Sequence, residues 1–119
     1  IACPLNAETR GSVNAKCFDR VRHGTILVNI ARGPIVDDAA LIDALDSGRI
    51  GTAILDVFHT EPLPTDDPLW AQPNIRMTPH TSFAGDGVQD RWDEMFLDNL
   101  PRYVNGEDLF NVVNPADLI

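Results

Sequence analysis

The sequence predicts an α/β fold, three-layered and built on a parallel sheet. Three observations carry the prediction. Two short β-branched apolar runs, Thr25–Ile30 (TILVNI) and Gly51–Phe58 (GTAILDVF), are near-continuous rather than alternating, as in strands buried on both faces. Between them, residues 37–48 (DDAALIDALDSG) carry an amphipathic helical pattern. Strand, helix and strand within about 30 residues form a βαβ unit, whose crossover is right-handed in nearly every protein.

Each element has its own local justification. Asn14 is placed to cap a helix that turns Phe18 and Val21 inward and ends at His23-Gly24. Cys17 is expected on that helix as a small packing residue. After the first strand, Asp37 is an N-cap, Leu41, Ala44 and Leu45 share one helical face, and Gly48 is a C-terminal stop. Residues 60–73 contain four of the nine prolines and read as a structured loop. Asn74–Thr78 (NIRMT) forms a third short strand, halted by Pro79. The last helix starts near Asp86, its expected N-cap, and covers about residues 86–104. Val88, Trp92, Met95, Phe96, Leu100 and Tyr103 give it the strongest helical periodicity of the chain. Pro101 is expected to kink or end it early, and Asn105-Gly106 closes the pattern. The pattern predicts one domain over residues 1–106 and an irregular tail over 107–119.

Composition narrows the function. The 119 residues can bury a core, and 44% hydrophobic with 23% charged residues is ordinary for a globular chain. Nine basic and eighteen acidic side chains give a net charge of −9, which opposes binding to a phosphate backbone, so no nucleic-acid partner is expected. No apolar run is long enough to span a membrane, and none is expected to contact one. Cys3 and Cys17 provide neither a disulfide framework nor a metal-ligand spacing, which fits a reducing, cytoplasmic setting. The chain opens Ile-Ala-Cys-Pro-Leu without an initiator Met, as though cut inside a strand, and is expected to be a piece of a longer protein.

In open parallel sheets ligands sit beyond the carboxyl ends of the strands. Here Arg32 follows the first strand, Asp56 ends the second, and His80 directly follows the third. Three strands thus deliver an Arg, an Asp and a His to one edge. Each also has a plainer explanation: Arg32 as a solvated loop cation, Asp56 as an acceptor for loop amides, His80 as a structural histidine, Glu61 as an exposed acid. Together the set is chemically coherent. An Arg fork grips a carboxylate and polarises an adjacent carbonyl. A His donates or accepts the proton on that oxygen, and a carboxylate behind the ring fixes its tautomer and favours its charged form. Interconverting a 2-hydroxy acid and a 2-oxo acid needs those groups and a hydride carrier. His23 and His59 have no evident partner, and Ser82 lacks the surroundings of a nucleophile.

These residues stand in a recognisable order. Residues 27–37 (LVNIARGPIVD), Ala40-Leu41, Leu55–Phe58, Glu61–Pro64, Pro68–Trp70, Pro73-Asn74 and Thr78–His80 closely resemble the D-isomer-specific 2-hydroxyacid dehydrogenases. Cys3–Leu5 with Glu8–Gly11 resembles the segment just upstream in that family, so the likeness runs from about residue 3 to 106.

The resemblance implies the second half of a Rossmann-type NAD(P)-binding domain, through the helix that returns to a substrate domain. It places the catalytic Arg on Arg32, the acid/base His on His80 and its supporting Glu on Glu61. It implies cofactor contacts from Cys3, Pro4, Leu5, Ile30, Ala31, Arg32, Asp56 and His80, with Asp56 bonding the nicotinamide carboxamide. NAD or NADP is the implied cofactor, a small 2-oxo or 2-hydroxy acid of the glyoxylate/hydroxypyruvate type or a relative the implied substrate, and a homodimer the implied state of the parent. Asn6 stands where the family often has Thr, and residues 81–85 (TSFAG), with Phe83, depart from the usual small-residue run. Glu61, where formate-specific relatives carry Gln, argues against formate. No Gly-x-Gly-x-x-Gly occurs, so the phosphate-binding turn would precede residue 1, and the chain alone is expected to be inactive, to bind NAD weakly and to self-associate. The competing readings are an NAD-sensing, corepressor-like scaffold of the same family and a non-catalytic α/β binding module.

Overall fold

The structure, a computed structural model, describes residues 1–114, so the expected tail falls partly (115–119) outside the described residues. Two compact units divide the chain, residues 1–82 and residues 83 onward.

The first unit is a three-stranded parallel sheet of order β1 (Thr25–Asn29), β2 (Ile50–Leu55) and β3 (Ile75–Met77). Helix α2 (Asp38–Asp46) makes the β1–β2 crossover as the sequence requires. The Asp37 carboxylate accepts from Ala40 N–H at 3.0 Å, satisfying one of the orphan donors of the first turn. Leu41, Ala44 and Leu45 are its buried face, and Gly48 takes φ +72° to stop it.

Helix α1 (Ala15–Phe18) is shorter than expected: Asn14 caps it, but beyond Phe18 the chain continues in three-residue turns, Arg20 N–H to Cys17 and Val21 N–H to Phe18. Two apolar residues three apart fit such turns as well as a longer helix. Phe18 is buried as expected, whereas Cys17 is exposed and packs no core.

The core lies between α1, α2 and one face of the sheet, where Phe18, Val36, Leu41, Leu45, Leu55 and Ile75 pack together. The opposite face is open. Ile26, Val28 and Ile54 share it by register, and Ile26 is 64% exposed. The expectation that the strands are buried on both faces therefore fails for the described residues: burial alternates along β1 and β2, and the sheet with the α1–α2 layer forms two of the three layers.

Register positions the site. Asn29, Leu55 and Met77 lie level across the three strands. The ladder then runs one rung further, with Asp56 N–H donating to Asn29 O and Thr78 N–H to Leu55 O, both at 3.0 Å. The loops beyond the three strands therefore leave the sheet at one height.

In the second unit, helix α3 (Val88–Asn105) begins after Gly87, which takes the N-cap position in a left-handed conformation, rather than at Asp86. Pro101 does not end the helix. Its ring removes one amide donor, and the helix runs four residues past it to Gly106, where φ +69° and two closing bonds terminate it. No α3 residue is buried, and the apolar stripe stays exposed, Trp92 by 54%. Residues beyond Gly106 fold back on this helix: Asn99 exchanges two hydrogen bonds with Phe110, and the Arg102 guanidinium lies 4.0 Å over the Phe110 ring.

Candidate active site

The turn after β1 is fixed by Asn29, a buried polar residue. Its side chain accepts from Ala31 N–H and donates to Arg32 O, both at 3.1 Å. Ala31 is buried and Ile30 is exposed, while Arg32 points out with Nη1 donating to its neighbour's carbonyl at 2.7 Å. Gly33 is required for a close approach. A Cβ there would lie 2.0 Å from the Phe58 carbonyl carbon and 2.4 Å from His59 N. That contact presses the Arg32 turn against the segment leading to Glu61.

Glu61 joins the two sides. Its Oε1 accepts from Phe58 N–H at 2.9 Å, and its Oε2 lies 2.7 Å from His80 Nδ1. The Nδ1 contact leaves Nε2 as the ring atom available to a reacting oxygen. Burial pushes the Glu61 carboxyl up, but bonds from His80 and Phe58 N–H, with the charges of His80 and Arg32, outweigh it and hold it below the ordinary glutamate value. Arg32, Glu61 and His80 thus form one electrostatic group. Beside it lies a mostly apolar cleft of about 590 Å³, walled by Phe58, Leu63, Trp70 and Met77 as well as by the pair itself.

His80 is the only non-glycine residue of the first unit in a left-handed conformation, with φ +54°. Such a backbone costs on the order of 1–3 kcal/mol and persists only where its surroundings impose it. Asp56, 2% exposed, spends both carboxylate oxygens there: Oδ1 accepts from the Thr78 hydroxyl and from Thr81 N–H at 2.9 Å, and Oδ2 from Ser82 N–H at 2.9 Å. Burial raises its pKa, and these bonds, with the Ser82 hydroxyl, overcome that and hold it far below the ordinary aspartate value. Asp56 is therefore an acceptor for its own chain, one of the two roles its position suggested.

Cys3, Pro4 and Leu5 follow Ile1, which is level with β1 through bonds to Val28 O and from Ile30 N–H, so their loop starts beyond the same sheet edge. Among the described residues they make no hydrogen bond to the Arg32–Glu61–His80 group. Asn6 shapes that loop: its side chain accepts from Glu8 and Thr9 N–H, and Thr9 Oγ1 donates to Pro4 O. The spacing of an Asn before Glu-Thr was the available signal. His59 also has a partner that its sequence position does not reveal. Its Nε2 lies 2.8 Å from Val36 O and 3.7 Å from Asp38. Burial raises the Asp38 pKa, His59 opposes this, and Asp67 and Asp37 add to it.

Hydroxypyruvate reductase of Blautia hydrogenotrophica is 39% identical over 112 residues, covering 94% of this chain and 34% of its own. Glyoxylate/hydroxypyruvate reductase B of Escherichia fergusonii is 41% identical over 112 residues, with 94% and 35% covered. This chain therefore spans about a third of the length of the curated relatives it matches. A crystal structure of a D-isomer specific 2-hydroxyacid dehydrogenase from Xanthobacter autotrophicus Py2, in complex with NADPH and MES, superposes with a TM-score of 0.86 at 43% identity, covering 96% of this chain and 46% of that one. Residues 1–82 match the family model of the D-isomer specific 2-hydroxyacid dehydrogenase NAD-binding domain, and the chain belongs to that family.

Proposed function

We propose that this chain is the part of an NAD(P)-dependent D-2-hydroxyacid dehydrogenase that carries its acid/base pair and its substrate-gripping arginine. The observation that carries the reading is the 2.7 Å His80–Glu61 contact, set at the sheet edge that also presents Arg32. The substrate is a small 2-oxo/2-hydroxy acid of the glyoxylate or hydroxypyruvate kind.

The residues present suit a nicotinamide. Exposed Ile30 offers an apolar surface at the carboxyl edge, the Asn29-tied turn holds the Ala31 and Arg32 backbone rigid beside it, and the Cys3–Leu5 loop starts beyond the same edge. When bound, the cofactor supplies or accepts the hydride. Arg32 grips the carboxylate and polarises the adjacent carbonyl through its fork. His80 Nε2 gives its proton to the carbonyl oxygen in reduction and takes it back in oxidation, while Glu61 at Nδ1 holds the ring's orientation and balances the imidazolium. The apolar cleft lies beside the pair, whose side chains both stay partly exposed and so within reach of a substrate. Two free, exposed thiols suit the cytoplasm, and the chain's first 106 residues are assigned to the cofactor domain of a homodimer.

The test is oxidation of NADH or NADPH by the enzyme that carries this chain, with glyoxylate, hydroxypyruvate and larger 2-oxo acids, and formate as a control. His80→Ala should lower turnover by about two to four orders of magnitude. Arg32→Lys should sharply lower kcat/KM, since lysine keeps the charge but loses the planar fork. Absence of turnover on every 2-oxo acid overturns the proposal, as does a Lys variant with wild-type kinetics.

A further inference from the structure

The left-handed backbone of His80 needs a cause. Neither Pro79 before it nor Thr81 after it requires that conformation of a histidine. The cause lies 25 positions from Thr81, in a carboxylate at the end of β2 that takes hydrogen bonds from residues on both sides of His80: the Thr78 hydroxyl ahead of it, and Thr81 and Ser82 N–H behind it. Two further bonds complete the turn. Thr78 N–H donates to Leu55 O at 3.0 Å, and His80 N–H to Thr78 O at 3.1 Å. With residue 78 and residues 81–82 both tied to one buried side chain, the short span between them has little room except to arch outward with φ +54° at its apex. That arch presents the ring to Glu61.

We propose that Asp56 and Thr78 are positioning residues for the acid/base histidine, forming a latch that clamps the chain on either side of His80 and so fixes its ring against Glu61. Asp56 is almost wholly withdrawn from solvent, and its two oxygens accept from three donors of its own chain. The latch needs an ionised acceptor, and the bonds that keep the Asp56 carboxyl charged are the same ones that hold the loop. Thr78 is the member open to clean testing, because valine matches its shape and removes only the hydroxyl. The catalytic part of the inference rests on His80 being the proton relay; the structural part does not.

Two measurements separate these. In the enzyme that carries this chain, Thr78→Val should lower kcat about tenfold, the effect of losing roughly one hydrogen bond's worth of alignment. KM for the nicotinamide cofactor should stay within about twofold, and Thr78→Ser should restore kcat. On the full chain, long-range ¹H–¹⁵N correlation of the His80 ring should show the proton held on Nδ1 in the wild type and shared between both nitrogens in Thr78→Val. Asp56→Asn supplies an independent check, because its amide nitrogen would face an N–H donor. Exchange of the Thr81 and Ser82 amides should then quicken at least about tenfold. Wild-type ring tautomer in Thr78→Val, or unchanged amide exchange in Asp56→Asn, overturns the latch. If the wild-type enzyme reduces no 2-oxo acid while both spectroscopic changes occur, the latch stands and the dehydrogenase reading falls.

Discussion

Gly33→Ala is the substitution whose effect the geometry specifies most directly. Gly33 has no positive φ, so alanine meets no conformational objection; the cost is contact alone. Its methyl would sit 2.0 Å from the Phe58 carbonyl carbon, 2.2 Å from the oxygen and 2.4 Å from His59 N, whereas ordinary contact begins near 3.4 Å. All three atoms are backbone and cannot rotate away, so the turn and the Phe58 segment must part by more than an ångström. Overpacking of this kind costs typically about 1–3 kcal/mol, and a rigid backbone wall puts this case at about 2 kcal/mol or more. The separation also reaches the site, because Phe58 N–H is bonded to Glu61 and Arg32 precedes Gly33. A misplacement of about 1 Å near reacting groups costs on the order of 100-fold in rate. Urea unfolding followed by far-UV circular dichroism reads the first effect, and kcat/KM of the parent enzyme the second. A variant within about 0.5 kcal/mol of wild type would refute the claim that this glycine exists for close approach.

Acid should weaken the site through depressed carboxyls. Asp56 and Glu61 both titrate lower in the folded chain than their ordinary values of 3.8 and 4.5. The unfolded chain therefore binds more protons in that range, their stabilisation is fully present above about 4.5, and it is lost as pH falls through the folded values. The urea midpoint should stay level from pH 7 to about 5 and drop below about 4, and Asp56→Asn should flatten that slope; equal slopes would remove Asp56 from the account. Asp37→Ala deletes the carboxylate that accepts from Ala40 N–H and should cost about 1 kcal/mol in the same unfolding assay, with no loss showing that α2 needs no cap.

Much of the site was legible because it obeys a topological rule. Once TILVNI, GTAILDVF and NIRMT are read as parallel strands, Arg32, Asp56 and His80 fall at one edge without any knowledge of contacts. Helix α2 was legible for a local reason, since cap, face and stop lie within twelve residues. What escaped was long-range. The apolar residues Ile26, Val28 and Ile54 look the same in sequence whether or not a layer covers them. The conformation of His80 is imposed by Asp56 from another strand, and the need for Gly33 comes from Phe58. Of the two outcomes expected at Pro101, the early end does not occur, because a single missing amide donor is a smaller loss than ending a helix four residues short of its glycine stop.

Parallel order across the sheet also bears on when the site comes into being during synthesis. Successive parallel strands cannot meet through a hairpin, and each pairing closes a long stretch of chain before it returns any stabilisation. Arg32 is made before His80, yet nothing holds the two together until β3 has docked and Asp56 has captured the segment beyond it. A ribosome-bound chain that has extruded only β1, α2 and β2 therefore carries Arg32 and Asp56 but not His80. The Arg32–Glu61–His80 group therefore assembles only once β3 has paired with β2, which couples its appearance to that pairing.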